Sequence, residues 1–281
     1  MKKLICPVDF SETANNAVEY AAYLASGLKA ELALIHIVNE PSIDDMSDAV
    51  GGQEVEGKKE LDALERLETY CQTVRDSFSI KCRPIVGTYT PNMEAALRKE
   101  IETNTYDLVL MGTNGRSDIS QFFLGTHTNH IIGKISAPIM VIPFGCSFKK
   151  IEKVVYASNY KVEDIPALNS LIALTQTFDP YLTVLHVNKT QSKKDEEIRL
   201  LLQDVYQDKL KNQKIMFDQI HSENVSMAID GYVTRNDADL LVLVTHKYSW
   251  IREIFHDSVT KKMSLVADYP ILVQHFNETG N

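Results

Sequence analysis

The chain has 281 residues, enough for two domains of ordinary size or one large α/β domain. Its 29 Lys and Arg against 38 Asp and Glu leave a net charge of -9, which removes the basic field that a nucleic-acid partner needs, and 44% hydrophobic with 24% charged residues excludes a mainly disordered or fibrous chain. The opening MKKLICPVDFSE reaches Asp9 and Glu12 before any apolar stretch of signal-peptide length, and no run approaches the ~18 apolar residues of a membrane span, so a cytoplasmic protein without a membrane partner is expected.

The first predicted strand is LICPV, residues 4–8, a continuous apolar run of the kind buried on both faces of a parallel sheet. Ser11 is the expected N-cap of a helix whose inward residues are Ala14, Ala17, Val18, Ala21, Leu24 and Ala25, with Gly27 as its stop. A second strand is expected over 32–38. Beyond a polar loop, Leu61, Leu64, Leu67, Cys71 and Val74 mark the inward stripe of a long amphipathic helix. Residues 80–86 read as a third strand, and Thr90-Pro91 opens a third helix with Met93, Leu97 and Ile101 inward. A fourth strand follows over 107–111, a fourth helix over about 126–136 and a fifth strand over 139–142. This alternation implies right-handed crossovers and an open parallel sheet covered by helices. The cysteines Cys6, Cys71, Cys82 and Cys146 have no CxxC or zinc-like spacing and are expected to be reduced and buried.

A repeat organises the rest of the chain. Residues 3–38 align without a gap on 153–188, pairing Lys3 with Lys153, Ala17 with Ala167, Leu24 with Leu174 and His36 with His186. Residues 107–142 align equally on 239–274, pairing Asp107 with Asp239, Thr113 with Thr245 and Pro138 with Pro270. The offset falls from 150 to 132, so the second copy is 18 residues shorter around the 40–80 segment. The expected architecture is two tandem Rossmann-like α/β domains, 1–148 and 149–281, each a five-stranded parallel sheet flanked by helices.

In such a sheet ligands bind beyond the carboxyl ends of the strands, where strand order reverses. Strand one delivers Asp9 there, and strand four delivers Gly112-Thr-Asn-Gly115, then nine residues, then Gly125-Thr126. Glycines allow close backbone approach to a phosphate, a helix N-terminus adds free N–H donors, and Thr126 and Thr128 add hydroxyls. The same spacing also fits a flexible surface loop.

CPVDFSETANNAVEYA, LIHIV, MGTNGRSDISQFFLGTHTNHI and APIMVI together resemble the universal stress protein family in its ATP-binding branch. The resemblance covers the first half and, through the repeat, extends to the second, as in tandem members with their adenine nucleotide α-hydrolase-like fold. It implies that Pro7, Val8 and Asp9 lie against base and ribose and that the backbone of Ile37 meets adenine. It also implies that Met111, Gly112, Asn114 and Gly115 wrap ribose and phosphates, and that Gly125, Thr126, His127 and Thr128 cradle the phosphates of ATP, ADP or AMP, with Mg²⁺. In tandem members the halves pair through their last strands, and a further homodimer is possible.

The second copy is an internal control. Facing Asp9, Gly112, Gly115 and Gly125 it has Asn159, Val244, Lys247 and Asp257. A branched side chain replaces a glycine, and a carboxylate would face phosphate, so nucleotide is expected in the first half only; Ser258 and Thr260 do not restore the site. Lys247, Tyr248 and Trp250 read as a surface loop or as a different pocket. Residues 1–148 hold 13 basic against 20 acidic side chains, with Arg116 the one cation in the glycine loop, so Mg²⁺ and backbone N–H groups must manage the phosphates. His36 and His186 share a repeat position and read as packed, hydrogen-bonded imidazoles. His127 and His130 have no Cys or carboxylate beside them to complete a metal site. No P-loop or G-x-S-x-G is present, and Asp118 reads as a solvated surface acid rather than a base for hydrolysis. The leading reading is a nucleotide-binding regulatory protein in stress response; the alternatives are a nucleotide-independent interaction scaffold and a slow ATPase.

Overall fold

The computed structural model describes residues 1–38, 52–88, 93–113, 135, 137–162, 164–189, 193–208, 212, 214–245 and 267–275. The described residues up to Phe148 form one compact unit and those from Lys149 another.

Unit 1 runs β1 (Lys3–Pro7), α1 (Glu12–Leu28), β2 (Glu31–Val38), α2 (Gly52–Phe78), β3 (Cys82–Thr88), α3 (Met93–Asn104), β4 (Leu108–Thr113) and β5 (Ile139–Pro143). The strand order is β3-β2-β1-β4-β5 with every pairing parallel. Residues 4–6, 32–35, 108–110 and 139–142 are at most 3% exposed, the consequence of apolar strands covered on both faces.

Local chemistry sets the element ends. The Ser11 hydroxyl accepts the Ala14 N–H at 3.1 Å and caps α1 as expected. Its other end differs. The helix stops at Lys29 (φ 53°), whose N–H reaches the Ser26 carbonyl at 3.1 Å while Ala30 N–H reaches Ala25 at 2.8 Å, because Leu28 still buries its side chain and carries the helix past Gly27. In α2 the buried stripe is Ala63, Leu67, Cys71 and Val74. Leu61 and Leu64 are 55% and 42% exposed, since small Ala63 rather than either leucine occupies the contact with the sheet. β3 begins at Cys82 rather than residue 80, after a connection in which Ser79 adopts φ 53°. Leu97 and Ile101 of α3 are buried as expected, whereas Thr90, Pro91 and the expected fourth helix lie outside the described residues. Cys146 corrects the expectation that all four thiols are buried: it sits half-buried in the turn after β5, its N–H on the Pro143 carbonyl at 3.0 Å.

Unit 2 runs β6 (Lys153–Ser158), α4 (Asp164–Thr175), β7 (Tyr181–Asn188), α5 (Lys193–Val205), β8 (Ile215–His221), α6 (Val225–Arg235), β9 (Leu240–Thr245) and β10 (Ile271–His275). Its order β8-β7-β6-β9-β10, again all parallel, repeats that of unit 1. Residues shared by the repeat hold the same joints. Asp107 accepts the Lys3 N–H at 2.7 Å, and Asp239 accepts the Glu152 and Lys153 N–H groups at 2.9 Å each. Lys3 Nζ reaches the Asn104 carbonyl at 3.5 Å, and Lys153 Nζ reaches that of Asn236 at 3.1 Å. The shortened middle of the second copy falls on α5, 13 residues against the 27 of α2. No helix among the described residues is long and apolar enough to cross a membrane.

Candidate functional site

In unit 1 the chain leaves β1 toward β2 on one side and enters β4 on the other, so strand order reverses between β1 and β4. Six of the expected site residues, Pro7, Val8, Asp9, Ile37, Met111 and Gly112, stand at the carboxyl ends of β1, β2 and β4. Asn114, Gly115, Gly125, Thr126, His127 and Thr128 lie outside the described residues, as do Arg116, Asp118 and His130.

The β1–β2 ladder ends at Pro7 and Ile35, with Val8 N–H on the Ile35 carbonyl at 2.8 Å. In a parallel ladder residues two apart turn their backbone groups to the same edge, so the N–H and C=O of Ile37 face the gap that β1 leaves as it bends into Asp9. That gap has an edge donor and an edge acceptor side by side. Asp9 is exposed, and its Oδ1 accepts the Ser11 N–H at 3.0 Å and the Ser11 hydroxyl at 2.6 Å, which fixes the carboxylate beside the N-terminus of α1. Its Oδ2 has no partner among the described residues.

Two expected ligand contacts are confined to backbone. Val8 is 3% and Met111 6% exposed, so both side chains belong to the core, and the Val8 carbonyl already takes Nδ1 of His36 at 2.6 Å. Gly112 departs from its expected reason. A Cβ there would lie 2.6 Å from the Thr13 carbonyl oxygen and 2.9 Å from Thr13 Cγ2, so α1 packing demands the glycine before any ligand arrives. Burial, and second the Asp9 carboxylate, push the Cys6 thiol up to about 12, so this neighbour of the crevice stays protonated and inert.

On the α2 side of Ile37 lies a cavity of about 370 Å³ lined by Phe10, His36, Lys59, Asp62 and Arg66 among others. Phe10 (φ 65°) places its ring 4.6 Å from that of His36, and the Arg66 guanidinium sits 3.8 Å above the Phe10 ring. Lys59 and Arg66 thus supply local positive charge in an acidic unit. Beyond Arg116, expected from the sequence, these two cations were detectable from their seven-residue spacing, which returns to the same helix face after two turns.

Unit 2 packs the corresponding turn more tightly. Tyr160 and His186 occupy the repeat positions of Phe10 and His36, and their rings stack at 4.3 Å and 20° with Tyr160 2% exposed. The buried carboxylate of Asp164 accepts from Tyr156 OH at 2.7 Å, Ser158 Oγ at 2.6 Å and Lys161 N–H at 3.0 Å, while Tyr160 N–H reaches Ser158 Oγ at 2.8 Å. These bonds stitch the turn after β6 onto the strand end. Nδ1 of His186 meets the Ser158 carbonyl at 2.9 Å, and its Nε2 is 3.6 Å from Asp195 on α5. Burial, then the Asp164 charge, pushes the Tyr156 phenol well above its usual range, and burial does the same to Tyr160. Both repeat histidines therefore tie the second strand to the end of the first, a structural role. Asn159 is exposed and Val244 buried, whereas Lys247, Tyr248, Trp250, Asp257, Ser258 and Thr260 lie outside the described residues.

Among the described residues no three His, Cys, Asp or Glu converge as a metal site. The described donors fit a nucleoside: an edge N–H and C=O at Ile37 for a base, and the open Asp9 Oδ2 for a ribose hydroxyl. For a divalent cation they offer one carboxylate, the situation in which Mg²⁺ is held chiefly by substrate phosphates and water.

The model of the universal stress protein family matches residues 1–143. A universal stress protein of Methanocaldococcus jannaschii is 27% identical over 156 residues, 50% of this chain and 94% of its own. A universal stress protein of Synechocystis sp. is 23% identical over 296 residues, 97% of this chain and 99% of its own. The crystal structure of a universal stress protein from Archaeoglobus fulgidus superposes with a TM-score of 0.73 over 97% of this chain and 98% of that one at 14% identity, a likeness of fold.

Proposed function

Taking as premise that the chain belongs to the universal stress protein family, we propose that unit 1 is an adenine-nucleotide-binding regulatory module and that unit 2 binds no nucleotide. The ligand is ATP, or ADP or AMP in its place, accompanied by Mg²⁺. The N–H and C=O of Ile37 pair with the base edge, and Asp9 Oδ2 accepts from a ribose hydroxyl. The backbone of Gly112 and the segment carrying Asn114, Gly115, Gly125, Thr126, His127 and Thr128 receives ribose and phosphates. Mg²⁺ supplies the charge neutralisation that an acidic unit lacks near a triphosphate. The protein acts in the cytoplasm through a conformational or partner equilibrium that the nucleotide biases.

The observation that carries this reading is the contrast at one repeat position. At the turn after the first strand, unit 1 keeps Phe10 half-buried and Asp9 exposed with Oδ2 unpartnered among the described residues, whereas unit 2 buries Tyr160 against His186 and satisfies the carboxylate of Asp164 within the turn. The test is to denature freshly purified protein, identify released nucleotides by mass spectrometry, and titrate the stripped chain with ATP in Mg²⁺ and in EDTA by calorimetry. Binding that weakens in EDTA is expected. No released nucleotide and no heat of binding would leave the scaffold reading in its place.

A further inference from the structure

The expected site residues come from strand ends and from the segment after β4, yet the cavity beside Ile37 is walled on its other side by α2. Of the described arginines in unit 1, Arg75 meets Glu68, Arg83 meets Glu100 at 3.8 Å and Arg98 meets Glu102 at 3.8 Å. Arg66 has no carboxylate partner among the described residues. Asp62 stands one turn before it, in the acid-before-base i,i+4 order that favours an ion pair. Arg66 lies instead on the Phe10 ring, 3.8 Å from its centroid. That ring is itself fixed, because it meets His36 at 4.6 Å and Tyr70 in a T-shaped contact at 5.8 Å, while Tyr70 OH donates to Asn15 Oδ1 at 2.6 Å.

A guanidinium plane backed by an aromatic ring therefore stands at the wall of a cavity of about 370 Å³, within the roughly 300–1,000 Å³ of small-molecule sites. Phe10 takes one face of the guanidinium, and the exposed side chain leaves the second for another flat group. The remaining walls decide what that group is. Val38 and Ala63 are apolar and buried, and Asp62 puts a carboxylate at the same cavity, so a phosphate would meet both desolvation and like charge where a heteroaromatic ring would not. Unit 2 has no such plane. On α5, Arg199 gives its Nε to one Glu196 carboxylate oxygen at 2.9 Å and an Nη to the other, and Tyr160 is buried.

We propose that the base of the nucleotide enters this cavity from the Ile37 edge and stacks on Arg66, making a three-layer column of Phe10, guanidinium and purine, with the Asp62 carboxylate accepting from the exocyclic amine. This role for α2 rests on nucleotide binding by unit 1 and adds to it two residues that hold and select the base. Phe10 and Tyr70 fix the guanidinium before ligand arrives, so little side-chain freedom is lost on stacking. A carboxylate accepts from the 6-amine of adenine and repels the 6-oxo oxygen of hypoxanthine or guanine, which makes Asp62 the selecting group.

The test is calorimetry on the stripped full chain with AMP, ADP and ATP in Mg²⁺. Arg66→Gln, at an exposed helix position, should unfold close to the parent's midpoint and bind all three roughly 3- to 30-fold more weakly, by the same factor for each, since the lost contact is to the base. Arg66→Lys, which keeps the charge and loses the plane, should not restore binding. Asp62→Asn, whose amide offers a donor as well as an acceptor, should narrow the preference for ATP over ITP. A parent chain that binds no adenine nucleotide removes the nucleotide reading and this stack with it. Where the parent binds, the stack alone is overturned if Arg66→Gln binds equally well, loses more with each added phosphate, or is matched by a fully restored Arg66→Lys; an unchanged ATP-to-ITP preference in Asp62→Asn overturns the selecting role of Asp62.

Discussion

Replacing Gly112 with alanine separates two reasons for a glycine at the end of β4. The added Cβ would stand 2.6 Å from the Thr13 carbonyl oxygen and 2.9 Å from Thr13 Cγ2, both inside the shortest approach that carbon normally makes. Removing the Thr13 side chain relieves only the second contact, because the first is to backbone. Either α1 or β4 must therefore shift, an overpacking cost of about 1–3 kcal/mol. In a unit of this size each kcal/mol moves the unfolding midpoint by about 2–4 °C. The assay is chemical and thermal unfolding of the nucleotide-free chain, followed by nucleotide titration. Gly112→Ala should be destabilised before any ligand is added, and Gly112→Ala with Thr13→Ala should recover only part of the loss. A Gly112→Ala chain with full stability and no nucleotide binding would show that the glycine serves ligand approach instead, and would refute the packing argument.

Other outcomes follow from the same geometry. Ser11→Ala removes a helix cap and the hydroxyl's hydrogen bond to Asp9, leaving the one from the backbone N–H, and should cost about 1 kcal/mol in denaturant unfolding. Asp9→Ala removes the open carboxylate and should weaken nucleotide binding about 10- to 100-fold by calorimetry, the scale of a hydrogen bond to a charged group. Asp164→Ala strands Tyr156 OH, Ser158 Oγ and Lys161 N–H, at about 1–3 kcal/mol for each buried donor left unpaired. It should lower the unfolding midpoint of unit 2 while leaving nucleotide affinity unchanged; a change in affinity with normal stability would contradict the division of labour between the units. Burial, then the Asp164 charge, lifts Tyr206 to about 12, and burial, then the hydrogen bond to Asp218, lifts Tyr232 to about 12. Unfolded tyrosines ionise near ~10, so stability is intact below that pH and falls as pH rises toward 12; equal midpoints at pH 9 and 11 would contradict this sign.

The repeat made the tandem α/β organisation legible because the retained residues, Lys3 with Asp107 and Lys153 with Asp239, are joints of the sheet rather than of a ligand. Element ends were less legible. Gly27 looks like a helix stop, yet burial of Leu28 carries α1 to Lys29; Leu61 and Leu64 look like core, yet small Ala63 makes the contact. At the candidate site, the place of Asp9 beyond the first strand was readable from the apolar run before it, whereas Ile37 came only through the family resemblance. The role of Thr13 against Gly112 was not, since a close approach between α1 and β4 leaves no mark in local periodicity. Nor was the tighter packing of the turn after β6 in unit 2, where Tyr160 and Asp164 differ from Phe10 and Ala14 in ways that acquire meaning only once that turn is folded onto the strand.

The central claim is one nucleotide per chain, held by unit 1. Native mass spectrometry of the stripped chain at saturating Mg-ATP counts ligands directly. The account predicts a single added nucleotide, and a clear fall in its occupancy in Asp9→Ala at the lowest concentration that saturates the parent chain. Two nucleotides per chain, none, or a single one that survives Asp9→Ala undiminished would contradict it.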